Sequence, residues 1–324
     1  MMALRGETNG GGDRVTVGIC TYNRAAGLHA VLAALDKQRL ESLSDAQVDI
    51  VVVDNSESGS ARDIVAEHAQ RARFAVHYVP ESRKGLAFAR NAVMGAAKGL
   101  HATYLAFVDD DELPDAVWLE ALLQALADGA RGAAIGPVYP VFEVPPPAWL
   151  PTSAFVIRRK AESGRVDDGY TCNCILRLPA VLEAGLSFDE RFNETGGEDT
   201  FFFKQLREKG FEIGWCEEAV VFETVPRHRM RASWLWRRWF RTGGLEVYLR
   251  PGAQSGVAGR LTSLAGGTAR LVVGAGKVVA GAAHAGLGQR DAFVASFYTL
   301  CRGAGLIAKV FGRDHREYAA RIYR

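Results

Sequence analysis

Tyr104-Leu-Ala-Phe-Val-Asp-Asp-Asp-Glu-Leu-Pro114 is the stretch on which the fold turns. Tyr104 to Val108 is an unbroken apolar run and reads as a buried strand. Pro114-Asp115 reads as a turn before a helix starting near Ala116. Three carboxylates, Asp109, Asp110 and Asp111, then stand at the carboxyl end of that strand. In open α/β sheets this is the edge where ligands bind. Carboxylates crowded together repel unless a cation or hydrogen-bond donors offset the cost. A hard divalent metal bridging phosphate oxygens would do so; the competing reading is a solvated acidic turn that caps the next helix.

Upstream, Val15–Cys20, Val48–Val53 and Ala75–Val79 read as strands, separated by helices near 25–38 and 61–71. A further helix runs from Gly85 through Ala97. Apolar strands alternating with helices predict a mostly parallel sheet covered on both faces. Three strand ends finish in polar residues: Thr21-Tyr-Asn-Arg24, Asp54-Asn-Ser56 and the aspartate triplet. All three should line one edge. Downstream, a strand is expected at Ala133–Val138, a loop at Pro145–Pro151, and an acidic loop then a helix within Phe188–Gly210. Short strands are expected at Phe211–Trp215 and Ala219–Phe222. Ser233 is a candidate cap for a helix ending at Gly243-Gly244.

The 324 residues carry a net charge of +2, which argues against a general nucleic-acid binder. That near-neutrality hides an asymmetry: residues 246–324 hold 11 Lys/Arg against 4 Asp/Glu. A basic tail on an acidic body points to a polyanionic surface as partner. The five cysteines, Cys20, Cys172, Cys174, Cys216 and Cys301, are odd in number and irregularly spaced. They read as reduced thiols of a cytoplasmic protein rather than a zinc site or disulfide framework. The Gly-rich start lacks the apolar core of a signal peptide.

Asp54 is placed either to meet a nucleobase or ribose or to cap the helix after Ser60. Gly85 opens a helix whose N-terminus favours an anion, and Arg83, Lys84 and Arg90 add positive charge. Their alternative is a solvated helix start. Glu198-Asp199 follows two glycines at a helix start, where an acid gains about 0.3–1 kcal/mol from the dipole. A carboxylate held over a cavity would instead serve as a general base. A dinucleotide oxidoreductase would need G-x-G-x-x-G after the first strand, where Gly18-Ile-Cys-Thr-Tyr-Asn23 stands.

Taken in order, Thr21-Tyr-Asn-Arg24, Val52-Val-Asp-Asn-Ser56, Gly85-Leu-Ala-Phe-Ala-Arg-Asn91, Asp109-Asp-Asp111 and Gly197-Glu-Asp199 resemble glycosyltransferase family 2 over about residues 14–225. Its members are inverting enzymes of the GT-A fold. The resemblance implies an α/β fold: a catalytic domain over 14–245, a mostly parallel sheet flanked by helices. A disordered N-terminus (1–13) precedes it and a basic helical appendage (246–324) follows. It implies a nucleotide-diphosphate sugar donor, UDP-linked first among them, and Mg²⁺ or Mn²⁺. Thr21, Asn23, Arg24, Arg83, Gly85, Arg90, Asn91 and Asp110 would belong to the nucleotide-sugar pocket. Asp54 would meet the base or ribose, Asp109 would lie by the ribose and the metal, and Asp111 would ligate the metal. Asp199, beside Glu198, would be the base that deprotonates the acceptor. Where relatives carry a metal-facing His, this chain offers Glu223 or His228. Leu235-Trp-Arg-Arg-Trp239 resembles a degenerate form of the processive Q-x-x-R-W motif, which implies single-sugar transfer. Asn173 would face the acceptor, and Trp149 would either stack on a sugar or anchor its loop. A non-catalytic nucleotide-sugar or glycan-binding module of the same fold is the alternative.

The segment Trp234-Leu-Trp-Arg-Arg-Trp-Phe-Arg241 puts aromatics on one helical face and arginines on another. It reads as an amphipathic helix at a membrane surface or as a core stripe with a solvated basic face. Candidate helices at 261–283 and 292–310 carry interrupting Arg and Lys. In-plane contact with anionic lipid fits them better than spanning. The expected setting is the cytoplasmic face of the inner membrane in bacterial polysaccharide or envelope synthesis, with a glycan or polyprenyl-linked acceptor. A plain helical appendage, packed on the catalytic domain or forming a dimer, is the alternative.

Overall fold

The structure is a computed structural model describing residues 13–41, 46–127, 129, 131–249, 256–285 and 290–313. The segment 1–12, where a disordered N-terminus is expected, lies outside the described residues. The chain divides into two compact units. The first comprises residues up to Tyr139, Ile157–Asn193 and Glu198–Glu223; the second comprises Pro140–Val156, Glu194–Gly197 and Thr224 onward.

The first unit opens with β1 (Arg14–Thr21), α1 (Ala25–Leu35), β2 (Gln47–Asp54), α2 (Arg62–Ala69), β3 (Ala75–Pro80), α3 (Leu86–Gly99) and β4 (Tyr104–Val108). Val17, Ile19, Ile50, Val51, Val52, Val53 and Leu105 are fully enclosed, as strands covered on both faces require. Helix α1 buries Leu28, Val31, Leu32 and Leu35, the i, i+3, i+4, i+7 stripe of a helix seated on a sheet. Then come β5 (Glu112–Pro114), α4 (Trp118–Ala125), β6 (Arg131–Ile135), β7 (Val138–Phe142), β8 (Arg165–Val166), β9 (Asn173–Arg177), α5 (Leu178–Glu183), α6 (Glu198–Glu208), β10 (Glu212–Trp215) and β11 (Val221–Val225).

The main sheet has the order β3-β2-β1-β4-β9-β6-β10-β8. Strands β3, β2, β1 and β4 run parallel, and β9 is antiparallel between β4 and β6. Thr21 pairs in register with Asp54, and Val108 with Asn173. The polar ends of β1, β2 and β4 therefore share one edge, as the sequence predicts. Two expectations change locally. The turn foreseen at Pro114 is the short strand β5, which pairs antiparallel with β11. The strand foreseen at 133–138 is two strands, because Gly136-Pro137 breaks it.

The second unit holds α7 (Ala232–Leu249), α8 (Gly256–Ala285) and α9 (Arg290–Val310). Its core gathers Leu150, Phe155, Val225, Met230, Leu235, Trp239, Val294 and Cys301. Helix α7 does not stop at Gly243-Gly244. A Cβ on Gly243 would lie 2.1 Å from the Arg302 backbone oxygen, so that glycine admits α9 rather than ending α7. The aromatic face of α7 is used the same way: Trp239 meets Phe297 and Tyr298, and Trp236 meets Phe297. The core-stripe reading therefore holds for α7. Glu246 of α7, 7% exposed at its side chain, pairs with Arg270 of α8 and Arg302 of α9. The arginine Nε donates to its carboxylate at 2.6 Å from Arg302.

Candidate active site at the carboxyl edge of the sheet

The aspartate triplet is held from both sides. Gly27, in the first turn of α1, lies against the Asp110 backbone so closely that a Cβ would sit 2.2 Å from the Asp110 carbonyl oxygen. Asp110 itself is buried and accepts hydrogen bonds from Thr21 Oγ1 at 2.8 Å and Arg24 Nη1 at 2.9 Å. Arg24 also reaches Asp111 at 2.7 Å. Thr21, Arg24 and Asp110 thus fasten the end of β1 to the end of β4. That is a structural task for three residues expected in the nucleotide pocket. Asn23 turns the chain with a positive φ of 54°, which asparagine tolerates better than most residues.

Glu112, which sequence reasoning left without a role, closes the other side. It is buried, and its carboxylate accepts the Asp109 N–H at 2.9 Å. Across β5 and β11 it stands in register with Glu223. Burial, then Asp109 and Glu223, raise the Glu112 carboxyl well above its usual range. Asp109 is pushed up to about 7: its enclosure by protein comes first, Arg90 opposes it, and Asp111, Asp110 and Glu223 add repulsion. This edge therefore concentrates the carboxylates of Asp109, Asp110, Asp111, Glu112 and Glu223 beside Arg24 and Arg90.

Arg90 and Glu198 sit behind the triplet. Both are buried, at 6% and 2% side-chain exposure, and they form a direct ion pair. Arg90 also lies 3.8 Å from Asp109. Burial pulls the Arg90 guanidinium down, but Glu198, Asp109 and Asp199 outweigh it and hold it above its usual value. Arg90 and Glu198 thus link α3, β4 and α6, and neither is exposed to a ligand as the pocket and catalytic roles suggested. Asp199, next along α6, is half-buried. Its Oδ1 accepts the Thr200 N–H at 2.6 Å and the Thr200 hydroxyl at 3.2 Å.

Several other expected ligand residues are engaged by the protein. Asp54 is fully buried and accepts from Ser56 N–H at 2.9 Å, Ala61 N–H at 2.8 Å and Tyr78 Oη at 3.2 Å, which is the capping reading. Asn91 exchanges two hydrogen bonds with the Phe188 backbone. Asn173 is buried, accepting from Trp118 Nε1 and donating to the Pro137 and Ala219 carbonyls, so it does not face an acceptor. Gly85 adopts φ 149°, and a Cβ there would strike the Asn193 side chain. Asn193 Oδ1 accepts the Ala87 N–H at 2.9 Å, so a protein carbonyl takes the first turn of α3 in place of an anion. Arg83 pairs with Glu81 and lies over the Phe88 ring, and Lys84 lies over Tyr22. Asn193 and Glu112 carried no sequence signal beyond their neighbours, because each acts across a long chain separation or through a backbone amide.

Glu223 belongs to the first unit beside the triplet. His228 lies on a short 3-10 turn (Arg227–Met230) of the second unit, as does the 41% exposed Trp149 on its own loop. All five cysteines are free thiols, and burial pushes those of Cys20 and Cys301 up to about 12. Among the described residues, no three His, Cys, Asp or Glu side chains already stand in metal-coordinating arrangement.

The sequence profile of Glycosyl transferase family 2 matches residues 16–183, more than half the chain. The chain belongs to that family. It is 32% identical over 233 residues to the succinoglycan biosynthesis protein ExoM of Rhizobium meliloti (strain 1021), covering 71% of this chain and 72% of that one. Chondroitin synthase of Escherichia coli is 26% identical over 251 residues, covering 66% of this chain and 35% of that protein. Among solved structures, the mannosyltransferase PcManGT of Pyrobaculum calidifontis, in complex with GDP-Man and Mn²⁺, superposes with a TM-score of 0.63 at 18% identity. That match covers 94% of this chain and 88% of the other. S. aureus TarS 1–349 in complex with UDP gives 0.52 at 14% identity, covering 94% and 93%. The fold is GT-A with a C-terminal helical region, and the protein is a glycosyltransferase.

Proposed function

We propose that the protein transfers a sugar from a nucleoside-diphosphate donor to a hydroxyl of a glycan or lipid-linked glycan, with inversion, in polysaccharide synthesis. The observation that carries this reading is the crowded acidic edge: Asp109, Asp111 and Glu223 around a carboxyl raised to about 7. Mutual repulsion of this kind is relieved by a hard cation, and the donor set is all oxygen, which suits Mg²⁺ or Mn²⁺. Asp111, Asp109 and Glu223 would hold it, with Arg24 releasing Asp111. A cation there supplies positive charge to a leaving diphosphate. Asp199 then takes the proton from the acceptor hydroxyl, and Arg90 with Glu198 hold α6 so that this carboxylate keeps its place. ExoM's role in succinoglycan biosynthesis and the nucleotide ligands of the solved relatives support the substrate classes. A thermal-shift panel of UDP-, GDP- and dTDP-sugars with and without Mn²⁺ tests it. One donor should stabilise the protein in a metal-dependent way, and no shift from any donor would overturn the reading.

The same reading seats the enzyme on the cytoplasmic face of an anionic membrane. Asp291–Val310 is long and apolar enough to cross a membrane by length and composition alone. It also packs against α7 and α8, burying Cys301 and Leu306 completely. Helix α8 supports a peripheral seat, exposing Val257, Leu261, Val272 and Val279 on one face, with Arg260 beside it. Val272→Glu with Val279→Glu should abolish flotation with anionic vesicles, and undiminished flotation would remove the seat from α8.

A further inference from the structure

The aspartate triplet carries a counter-ion of its own, and one of that ion's two contacts exceeds what the fold requires. Arg24 Nη1 lies 2.9 Å from Asp110 Oδ1 and 2.7 Å from Asp111 Oδ2. One guanidinium nitrogen thus spans two neighbouring carboxylates. The Asp110 arm fastens β1 to β4, and Thr21 Oγ1 shares that task at 2.8 Å. Asp110 is only 7% exposed at its side chain, so its pairing is what burial demands. The Asp111 arm differs. Asp111 is 19% exposed and Arg24 is 44% exposed, so water reaches both partners of that pair. The edge is also held without it, since Gly27 already seats the first turn of α1 on the Asp110 carbonyl.

The plain account is a screened ion pair that happens to lie at the edge. It leaves the choice of carboxylate unexplained. Asp111 is the triplet member that the proposed reaction assigns to a divalent cation. A guanidinium 2.7 Å from its oxygen repels a second cation on the same carboxylate. Both cannot hold Asp111 at full strength. Arg24 is also free to move. Its backbone stands at the start of α1, after Asn23 at φ 54°, but its side chain caps nothing in that helix. It can leave Asp111 by rotating its own long side chain, with Thr21 still bonded to Asp110.

We propose that Arg24 is the resting counter-ion of Asp111 and is exchanged for a divalent cation when one binds. The inference rests on the cation site of the proposed transfer reaction. Exchange keeps Asp111 paired in the resting site and makes cation affinity a difference between two pairings. Removing the guanidinium therefore tightens cation binding, whereas loss of a purely structural tie would loosen the turn and weaken it. Two measurements on the full chain test this, with Mn²⁺ alone as the probe. Phenylglyoxal adds to accessible guanidinium groups, and its labelling of Arg24, read by peptide mass, should speed up severalfold in saturating Mn²⁺. In Arg24→Gln, the Mn²⁺ affinity read by electron paramagnetic resonance should rise about fivefold, the scale of a partly screened ion pair. Arg62→Gln removes an equal charge at the first residue of α2, and should change that affinity by less than about twofold, because solvent screens separated charges. Three outcomes overturn the exchange and leave the cation site standing: labelling that Mn²⁺ slows or leaves unchanged, an affinity that Arg24→Gln weakens or leaves unchanged, or an equal gain in Arg62→Gln. Absence of Mn²⁺ binding by wild type and Arg24→Gln alike overturns the cation site, and the exchange with it.

Discussion

The two units bury charge with opposite residues of sign. At the sheet edge a single buried guanidinium, Arg90, faces Glu198 and Asp109, with Asp110, Asp111, Glu112 and Glu223 close by. In the helical unit the proportions reverse: one carboxylate, Glu246, serves Arg270 and Arg302. Each arrangement pairs its innermost charges, as burial demands. Each leaves an excess, negative at the edge and positive in the helices. The difference is one of sign: carboxylates outnumber the buried guanidinium at the first, and guanidinia outnumber the buried carboxylate at the second.

The largest expected effect isolates chemistry from charge. Asp199→Asn keeps the shape and hydrogen-bonding reach of the side chain but removes its basicity. Transfer should fall about 10³-fold with an unchanged melting temperature, the usual scale for a lost general base. Turnover within a few-fold of wild type would move the base elsewhere on the edge.

Breaking the two ion clusters compares them directly. Arg90→Met leaves Glu198 buried without its guanidinium, and such a loss costs about 3–5 kcal/mol. Glu246→Gln keeps a polar partner between arginines that are 29% and 27% exposed, so water screens part of the loss. About 2–3 kcal/mol is expected there. Urea unfolding reads both. A larger loss at Glu246 than at Arg90 would reverse the order that burial predicts.

Sequence reasoning reached the edge because strand ends are a local signal. Apolar runs at 15–20, 48–53 and 104–108 each stop at polar residues, and the parallel register brings those residues together. What it could not separate was which polar residue faces a ligand and which fastens the edge. Asp54, Asp110 and Asn173 look equally available in sequence, yet each is saturated by donors or acceptors dozens of residues away or by backbone groups. The Gly243-Gly244 pair failed for a related reason. A glycine that ends a helix and one that admits a neighbouring helix are identical until the neighbour is known, and α9 arrives some sixty residues later.

The finest probe of the comparison is the acidity of Asp109. Its carboxyl stands at about 7 rather than the ordinary 3.8. A carboxyl raised by folding contributes stability below its ordinary value, and that contribution is lost as pH rises through the folded value. The metal-free protein should therefore lose melting temperature between about pH 4 and about pH 7 through this group. The change should be small, since the side chain keeps 38% of its surface open and water screens it. Asp111→Asn removes one repelling neighbour and should flatten that slope. Mn²⁺ needs the carboxylate, so its apparent affinity should climb up to about pH 7 and level off above it. A pH-independent Mn²⁺ affinity, or a slope untouched by Asp111→Asn, would show that the edge carries no unrelieved negative charge. The contrast with the basic helical unit would then rest on that unit alone.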